Sequence, residues 1–304
     1  MNVTSDLQTN IEHIKQTLSN CTDIKMKEMN IGQDKSIGCF LVYIEVTLSS
    51  VMFRTTAMGN FLMKLSQLPQ DEIYQVIDNN ALGLSDLMLY HTIEEAVRGV
   101  LIGDCVIFID GYDKALKIPD KGYPKEGVKD VESEKVIRGS NEGFSDSVKI
   151  NKALMRKRLR SPELKMEQLE LGVWTHSLVN IVYMEGLAKE ELLEEVRQRL
   201  DGFEIDGILD SGMIEQLTEH VWYSPFPQIQ TTQRPDRAVM SVLEGRVVVM
   251  VDNSPTALIM PVDYNLFIRT SDDYYNRFEI ATFGRILRYL ASFLPWHFRD
   301  CIWQ

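Results

Sequence analysis

The stretch "GRVVVMVDNSPTALIMP" (245–261) decides how this chain is read. Two apolar runs flank Asp-Asn-Ser-Pro, the pattern of two strands joined by a tight turn. Nearly the same statement stands earlier, as "GDCVIFIDGYDKALKIP" (103–119). Sliding the sequence against itself by 142 positions lays 94–119 on 236–261 without a gap, and about ten of the 26 positions match. The matches include Ala96/Ala238, Leu101/Leu243, Gly103/Gly245, Asp110/Asp252 and Pro119/Pro261. A shift of 140 aligns the upstream parts: "KMKEMNIG" (25–32) meets "KMEQLELG" (165–172), and "LVYIE" (41–45) meets "IVYME" (181–185). Three matches in one order at nearly one offset indicate two copies of one unit.

Each copy opens with a helix pattern, about 5–19 and 145–160, followed by two strand patterns, about 24–31 with 38–46 and 164–171 with 178–185. Helices and the closing hairpin follow. In the second copy Leu192, Leu193, Val196 and Leu200 fall on one helical face ahead of Gly202, a natural stop. Asp210 or Ser211 offers an N-cap, and Pro235 stands near N1, where a missing N–H costs nothing. Helices between strands imply an α/β fold. The expected architecture is two tandem related lobes, each a mixed β-sheet with flanking helices, joined by a polar linker. The expected boundaries are 1–122 and 144–270 for the lobes, 123–143 for the linker and 271–304 for a membrane-proximal helical segment. Asp110 and Asp252 end the first hairpin strand of each copy, where a short carboxylate accepts N–H bonds from the turn.

Composition bounds the rest. The 304 residues suffice for about two domains, and 44% hydrophobic with 25% charged residues describes a folded globular protein. A net charge of −12 argues against phosphate-driven binding, so no nucleic-acid partner is expected. Cys21, Cys39, Cys105 and Cys301 form no CxxC pair, and Cys39 and Cys105 lie in apolar runs as buried free thiols would. His297 and Cys301 are four apart, but no second ligand pair accompanies them, so no metal is expected. The polar, amphipathic start is not a signal peptide, and no run of about 18 uncharged apolar residues occurs. GxSxG, GxGxxG, HExxH and a phosphate loop are all missing from the sequence; neither an enzyme nor a cofactor is expected.

Several strings in the second copy carry a family resemblance: "VIRGSNEGF" (136–144), "NKALMRKRLRSPELK" (151–165), "YSPFPQIQTTQRPD" (223–236), "LEGRVVVMVDNSPTALIMP" (243–261) and "SDDYYNRFEIATFGRILRYL" (271–290). They resemble the A subunits of GerA-type spore germinant receptors, and the first copy fits through "LVYIE" and "GDCVIFIDGYDKALKIP". The resemblance runs from about residue 5 to residue 294. It implies a soluble N-terminal region followed by a membrane-spanning region, in a complex with B and C subunits at the spore inner membrane, this region lying on the core side. It also implies a response to small-molecule germinants (amino acids, sugars or ions) that triggers ion release. After Leu294, where spanning helices are expected, the sequence reads "PWHFRDCIWQ" and stops, as an excised region or truncated product would.

The candidate ligand or subunit-interface residues come from two strings. Arg138, Glu142 and Phe144 stand at the entrance to the second copy, where Arg138 is suited to a ligand carboxylate or to bracing between lobes. In the proline-stiffened loop, Ser224, Phe226, Gln228, Gln230, Thr232, Gln233, Arg234 and Asp236 are suited to recognition or to a structural loop. Lys152, Arg156 and Arg160 form a basic stripe at i, i+4 spacing, suited to anionic lipid, to an acidic partner, to solvent or to internal ion pairs. Phe283, Ile286, Leu287, Leu290 and Leu294 make an apolar helical stripe, for a membrane interface or for docking on the chain's own lobe. The expected function is sensing and signalling, with a ligand cleft between lobes that reorient about the linker. The alternative is a scaffold that docks the B and C subunits.

Overall fold

Two five-stranded sheets form where the sequence repeats itself. The computed structural model describes residues 1–47, 57–78, 88–118, 129–131, 134–136, 139–202, 205–219, 227–270 and 272–302. The first half runs α1 (Leu7–Thr17), β1 (Ile24–Ile31), β2 (Ile37–Ile44), a 3-10 turn (Glu45–Thr47), α2 (Ala57–Leu65), α3 (Gln70–Asp78), β3 (Met88–Tyr90), α4 (Ile93–Ile102), β4 (Cys105–Ile109) and β5 (Ala115–Ile118). Two short strands, β6 (Lys129–Asp130) and β7 (Glu142–Gly143), pair with each other between the halves. The second half repeats the plan with α5 (Val148–Arg158), β8 (Leu164–Leu171), β9 (Ser177–Met184), α6 (Glu190–Asp201), α7 (Ser211–Thr218), β10 (Gln230–Thr232), α8 (Pro235–Leu243), β11 (Val247–Val251) and β12 (Ala257–Met260). Helices α9 (Tyr264–Ile268), α10 (Asp272–Tyr275) and α11 (Phe278–Ile302) follow.

Strand order is β1-β2-β4-β5-β3 in one sheet and β8-β9-β11-β12-β10 in the other, so the halves match strand for strand. The two related α/β lobes expected from the duplicated strings are what forms. The sheets themselves are antiparallel at every pairing of named strands, where mixed sheets were expected. The reason lies in the connection from β2 to β4. It leaves and re-enters at one end of the sheet, so Val42 near the end of β2 faces Val106 near the start of β4. A parallel pairing would require a crossover to the opposite end.

Both faces of each sheet are covered. In β2 the alternation sends Phe40 and Val42 toward α1 and α4, while Cys39 and Leu41 face α2 and α3. In the second lobe Val182, Val248 and Met250 pack under α5 and α8, and Val179, Ile181 and Val249 pack under α6 and α7. This explains why "VVVMV" is apolar throughout: all five residues of β11 are buried. Cys21, Cys39 and Cys105 are free and buried, and burial pushes the Cys39 thiol up to about 12.

The repeat extends to individual hydrogen bonds. Thr4 N–H donates to Asn10 Oδ1 at 3.0 Å, and Ser145 N–H donates to Asn151 Oδ1 at 2.8 Å. The two asparagines return their Nδ2 to the Thr4 and Ser145 carbonyls. The hairpin aspartates do not serve their own turns in this way. Asp110 Oδ1 accepts from Leu7 N–H at 3.4 Å and Asp252 Oδ1 from Val148 N–H at 3.0 Å, so each hairpin caps the helix that opens its lobe. The first turn of α1 also has Asp6 as a local cap, whereas Ser147 makes no side-chain cap for α5. Asp252→Ala is therefore expected to lower stability by about 1 kcal/mol, and Asp110→Ala by less, read as shifts in the urea midpoint.

Candidate functional site

The chemistry-bearing residues gather at a seam between the lobes and at a clasp on the second lobe. At the seam, residues 20–22 lie along the outer edge of β8. Met166 N–H donates to the Asn20 carbonyl at 2.7 Å, and Thr22 N–H donates to the Met166 carbonyl at 3.1 Å, a parallel bridge between Cys21 and Met166. Beneath it, Arg156 from α5 is fully buried, and Asp23 is 1% exposed. Arg156 Nε and Nη2 donate to the two Asp23 carboxylate oxygens at 2.7 and 3.0 Å, while Nη1 and Nη2 also reach the carbonyls of Ser161 and Leu164. The fork is thus satisfied on both sides of the lobe boundary.

A second acidic group completes the seam. Glu45 meets Lys152 at 3.5 Å, Lys149 at 3.3 Å and Lys25 at 3.5 Å. Burial works against its charge, but the three ammonium groups, Lys152 foremost, hold its carboxyl below the ordinary glutamate value. Lys152 is itself pulled below the ordinary lysine value, because burial outweighs Glu45 and Asp23. Of the readings open to the basic stripe, internal ion pairs are what Lys152 and Arg156 form: they are 1% and 0% exposed and pair with the first lobe. Arg160 alone is exposed, its Nε on the Lys157 carbonyl.

A carboxyl whose folded value is depressed contributes stability above its unfolded value and loses it as pH falls through the folded value. Glu45 and Asp236 are both of this kind. Stability is thus expected to be level near neutrality and to fall as the pH drops below about 4.3, the ordinary glutamate value. The fall should be shallower in Glu45→Gln; urea midpoints across the acid range check this.

The clasp brings together six of the residues singled out in the sequence. Arg234, fully buried, holds Asp236 with Nε and Nη2 at 3.1 and 2.7 Å, and donates to the carbonyls of Glu134 and Ser140 at 3.1 and 2.9 Å. Thr232 Oγ1 and Gln233 N–H both donate to Glu134 Oε2, and Arg237 pairs with Glu134 Oε1 at 2.5 Å. Gln233 accepts at its carbonyl from Phe144 N–H, and the Phe144 ring is buried in the second-lobe core. Glu142 pairs with Lys157 and Arg158, both at 2.7 Å. The Tyr275 hydroxyl of α10 donates to Asp236, and Gly139 sits against its ring; a Cβ there would lie 2.8 Å from Tyr275 Cε2, at a φ of +131°. Burial opposes the Asp236 charge, but Arg234 and Tyr275 outweigh it and lower its carboxyl.

Gln228 and Gln230 lie apart from the clasp. Gln228 lines a pocket of about 400 Å³ with Arg199, Glu195 and Met260, and Gln230 Oε1 is buried without a hydrogen-bond partner among the described residues. Arg138, Ser224 and Phe226 lie outside the described residues. Sequence reasoning missed Asp23, Glu45, Glu134 and Tyr275. Only Glu45 carried a signal, as the repeat counterpart of Glu185. Among the described residues no cluster of three or more metal-ligating side chains occurs.

Helix α11 carries the apolar stripe outward. Phe283, Ile286, Leu287 and Leu290 are 63%, 50%, 49% and 58% exposed, while Tyr289 and Ser292 bond to Asn265 and Tyr264 of α9. Arg288 pairs with Asp273 of α10. Among the described residues no helix is long and apolar enough to cross a membrane.

Two duplicated antiparallel lobes, locked at a charged seam and followed by a helix with an exposed apolar stripe, define a tandem-lobe α/β module. The chain belongs to the GerA family: the sequence model described as Bacillus/Clostridium GerA spore germination protein matches residues 12–299. It is 32% identical over 292 residues to the uncharacterized membrane protein YfkQ of Bacillus subtilis (strain 168), covering 96% of this chain and 56% of that protein. It is 30% identical over 292 residues to spore germination protein KA of the same organism, covering 96% and 54%. The chain thus spans about half the length of these curated relatives. Its fold is similar to the crystal structure of the N-terminal domain of the A subunit of the Bacillus megaterium spore germinant receptor GerK3. The TM-score is 0.65 at 26% identity, over 87% of this chain and 98% of that one.

Proposed function

We propose that the chain is the N-terminal sensing and signalling region of a spore germinant receptor A subunit, whose two lobes work as one rigid body. The observation that carries this reading is the seam, in which the buried Arg156–Asp23 pair and the backbone bridge onto β8 tie the lobes directly. A body locked in this way passes a displacement of either lobe to α11 without hinge closure about the linker. The reading places it with B and C subunits at the spore inner membrane, on the core side, attached through the part of the longer protein that follows. Buried free thiols fit a reducing compartment. The germinant would be a small molecule such as an amino acid, sugar or ion, and the chain is assigned no catalytic step.

The exposed stripe of α11 favours a second reading, a scaffold that docks the other subunits. Tyr275→Phe separates the two, because it removes one hydroxyl contact to Asp236 and keeps the ring. In spores carrying the full-length protein, a shifted germinant dose response at normal complex levels supports signalling. Loss of the B and C subunits with the variant supports scaffolding and sinks the first reading.

A further inference from the structure

Away from the seam, the turn between β8 and β9 carries two apolar residues into solvent. Leu171, the last residue of β8, lies five residues beyond the Met166 bridge, about 17 Å along the strand. In the turn that follows, Val173 and Trp174 are 58% and 78% exposed, and Leu209 of the neighbouring segment 205–210 is 70% exposed. The turn is tightly held. Val173 N–H donates to the Ile205 carbonyl at 2.9 Å, Trp174 N–H donates to the Asp206 carbonyl at 2.8 Å, and Thr175 Oγ1 accepts from Ile208 N–H at 3.0 Å. Gly172 has a φ of +91°, and a Cβ on it would collide with Thr175 Oγ1. The first lobe supplies an internal comparison. Its turn between β1 and β2 has the same length, the same φ of +91° at Gly32, and the corresponding bond from Gln33 N–H to the Leu68 carbonyl at 3.0 Å. There the two exposed residues are Gln33 and Asp34. The backbone of this turn therefore does not require an apolar pair, and burial within the lobe is not what holds Val173 and Trp174 in place.

The charge around this tip is of one sign. Neither 166–188 nor 200–233, the stretches that supply the turn and the segment bonded to it, contains a lysine or an arginine, while Glu170, Asp206 and Asp210 are exposed there. We propose that the tip docks a basic segment of a partner protein, with an arginine or lysine laid on the Trp174 ring and aliphatic neighbours against Val173 and Leu209. A cation is attracted to the face of an aromatic ring, and to an indole most strongly. Asp206, whose carbonyl holds Trp174, and Glu170 supply the counter-charges. A projecting tip encloses no small molecule, and a field of carboxylates repels an anionic lipid surface; a cationic protein segment meets both conditions. The tip is separate from the seam and from α11, so its failure to bind would leave the receptor reading standing.

The test follows the Trp174 indole N–H signal by NMR of the whole 304-residue chain, assigned with Trp174→Phe, during titration with three end-blocked pentapeptides. Their sequences alternate leucine with arginine, with citrulline or with glutamate. The arginine peptide is expected to move the signal with a dissociation constant of about 1 mM, the citrulline peptide to bind about tenfold more weakly, and the glutamate peptide not to bind. Val173→Gln with Trp174→Asp transplants the first-lobe tip onto the second lobe, so the chain is expected to keep its urea midpoint and lose the binding. Asp206→Asn is expected to weaken the arginine peptide about threefold and to leave the citrulline peptide unchanged. Equal binding of the arginine and citrulline peptides, binding that survives the transplanted tip, or a signal unmoved by the arginine peptide would overturn the proposal. So would movement of the signal with phosphatidylglycerol vesicles in preference to the peptide, which would assign the tip to lipid. Movement on raising the protein concentration alone would overturn it too, in favour of a second copy of this chain.

Discussion

Asp23→Ala is expected to destabilise the chain by about 3–5 kcal/mol, because it strands a buried guanidinium. Arg156 is fully buried, and two of its nitrogens end on Asp23. The remaining bonds, to the Ser161 and Leu164 carbonyls, leave the positive charge without a counter-ion. The double variant Asp23→Leu/Arg156→Met is expected to recover most of the loss, since an apolar pair of similar volume carries no desolvation penalty. Urea unfolding of wild type, both single variants and the double variant forms the cycle. The two lobes are also expected to unfold together in the wild type and separately in Asp23→Ala, visible as a broadened or two-step transition. A single variant that costs no more than a surface substitution would show the seam to be incidental.

Arg234→Ala should be the other large effect, at about 2–5 kcal/mol for truncating one partner of a buried charge pair. Arg234 connects three separate stretches: Asp236 at the start of α8, and the carbonyls of Glu134 and Ser140 before the second lobe. Its loss leaves Asp236 with Tyr275 as its remaining side-chain donor. Hydrogen exchange is expected to rise across 134–143 and 272–275, with the first-lobe sheet unchanged. Arg234→Lys should behave almost like the alanine variant, because an ammonium cannot span Asp236 and two carbonyls as the planar fork does. Unchanged exchange in 134–143 would show that β6 and β7 hold this stretch without the clasp.

The lobes were legible because a repeated hairpin is a local pattern. "CVIFI" and "VVVMV" announce strands on their own, and Asp110 and Asp252 mark one position in both copies. Strand direction was not legible, since it depends on the sheet end to which a long connection returns. The basic stripe left solvent, lipid, an acidic partner and internal ion pairs open for a related reason. Charges at i, i+4 usually face solvent, and the acid that draws Arg156 inward stands 133 residues away in the other lobe. The clasp was half legible. "TTQRPD" displayed Arg234 and Asp236 as polar groups on a stiff turn, but nothing local showed that they point at the chain's own linker and at Tyr275. Glu134 and Ser140 of the linker, expected as a hinge, are bound to the second lobe by Thr232, Arg237 and Arg234.

The bridge onto β8 is head-to-tail, since residues 20–22 before β1 of one lobe lie on the counterpart of β1 in the other, and such a contact has no built-in end. If residues 20–22 of one module can lie along β8 of the next, their second-lobe counterparts, Arg160, Ser161 and Pro162, are placed to lie along β1 of a further chain, and so on into a filament. Pro162 stands where the first lobe has Thr22, the residue whose N–H closes the bridge. A proline has no such hydrogen to give. Pro162 thus withholds one of the two backbone hydrogen bonds that a continuation of the series would use.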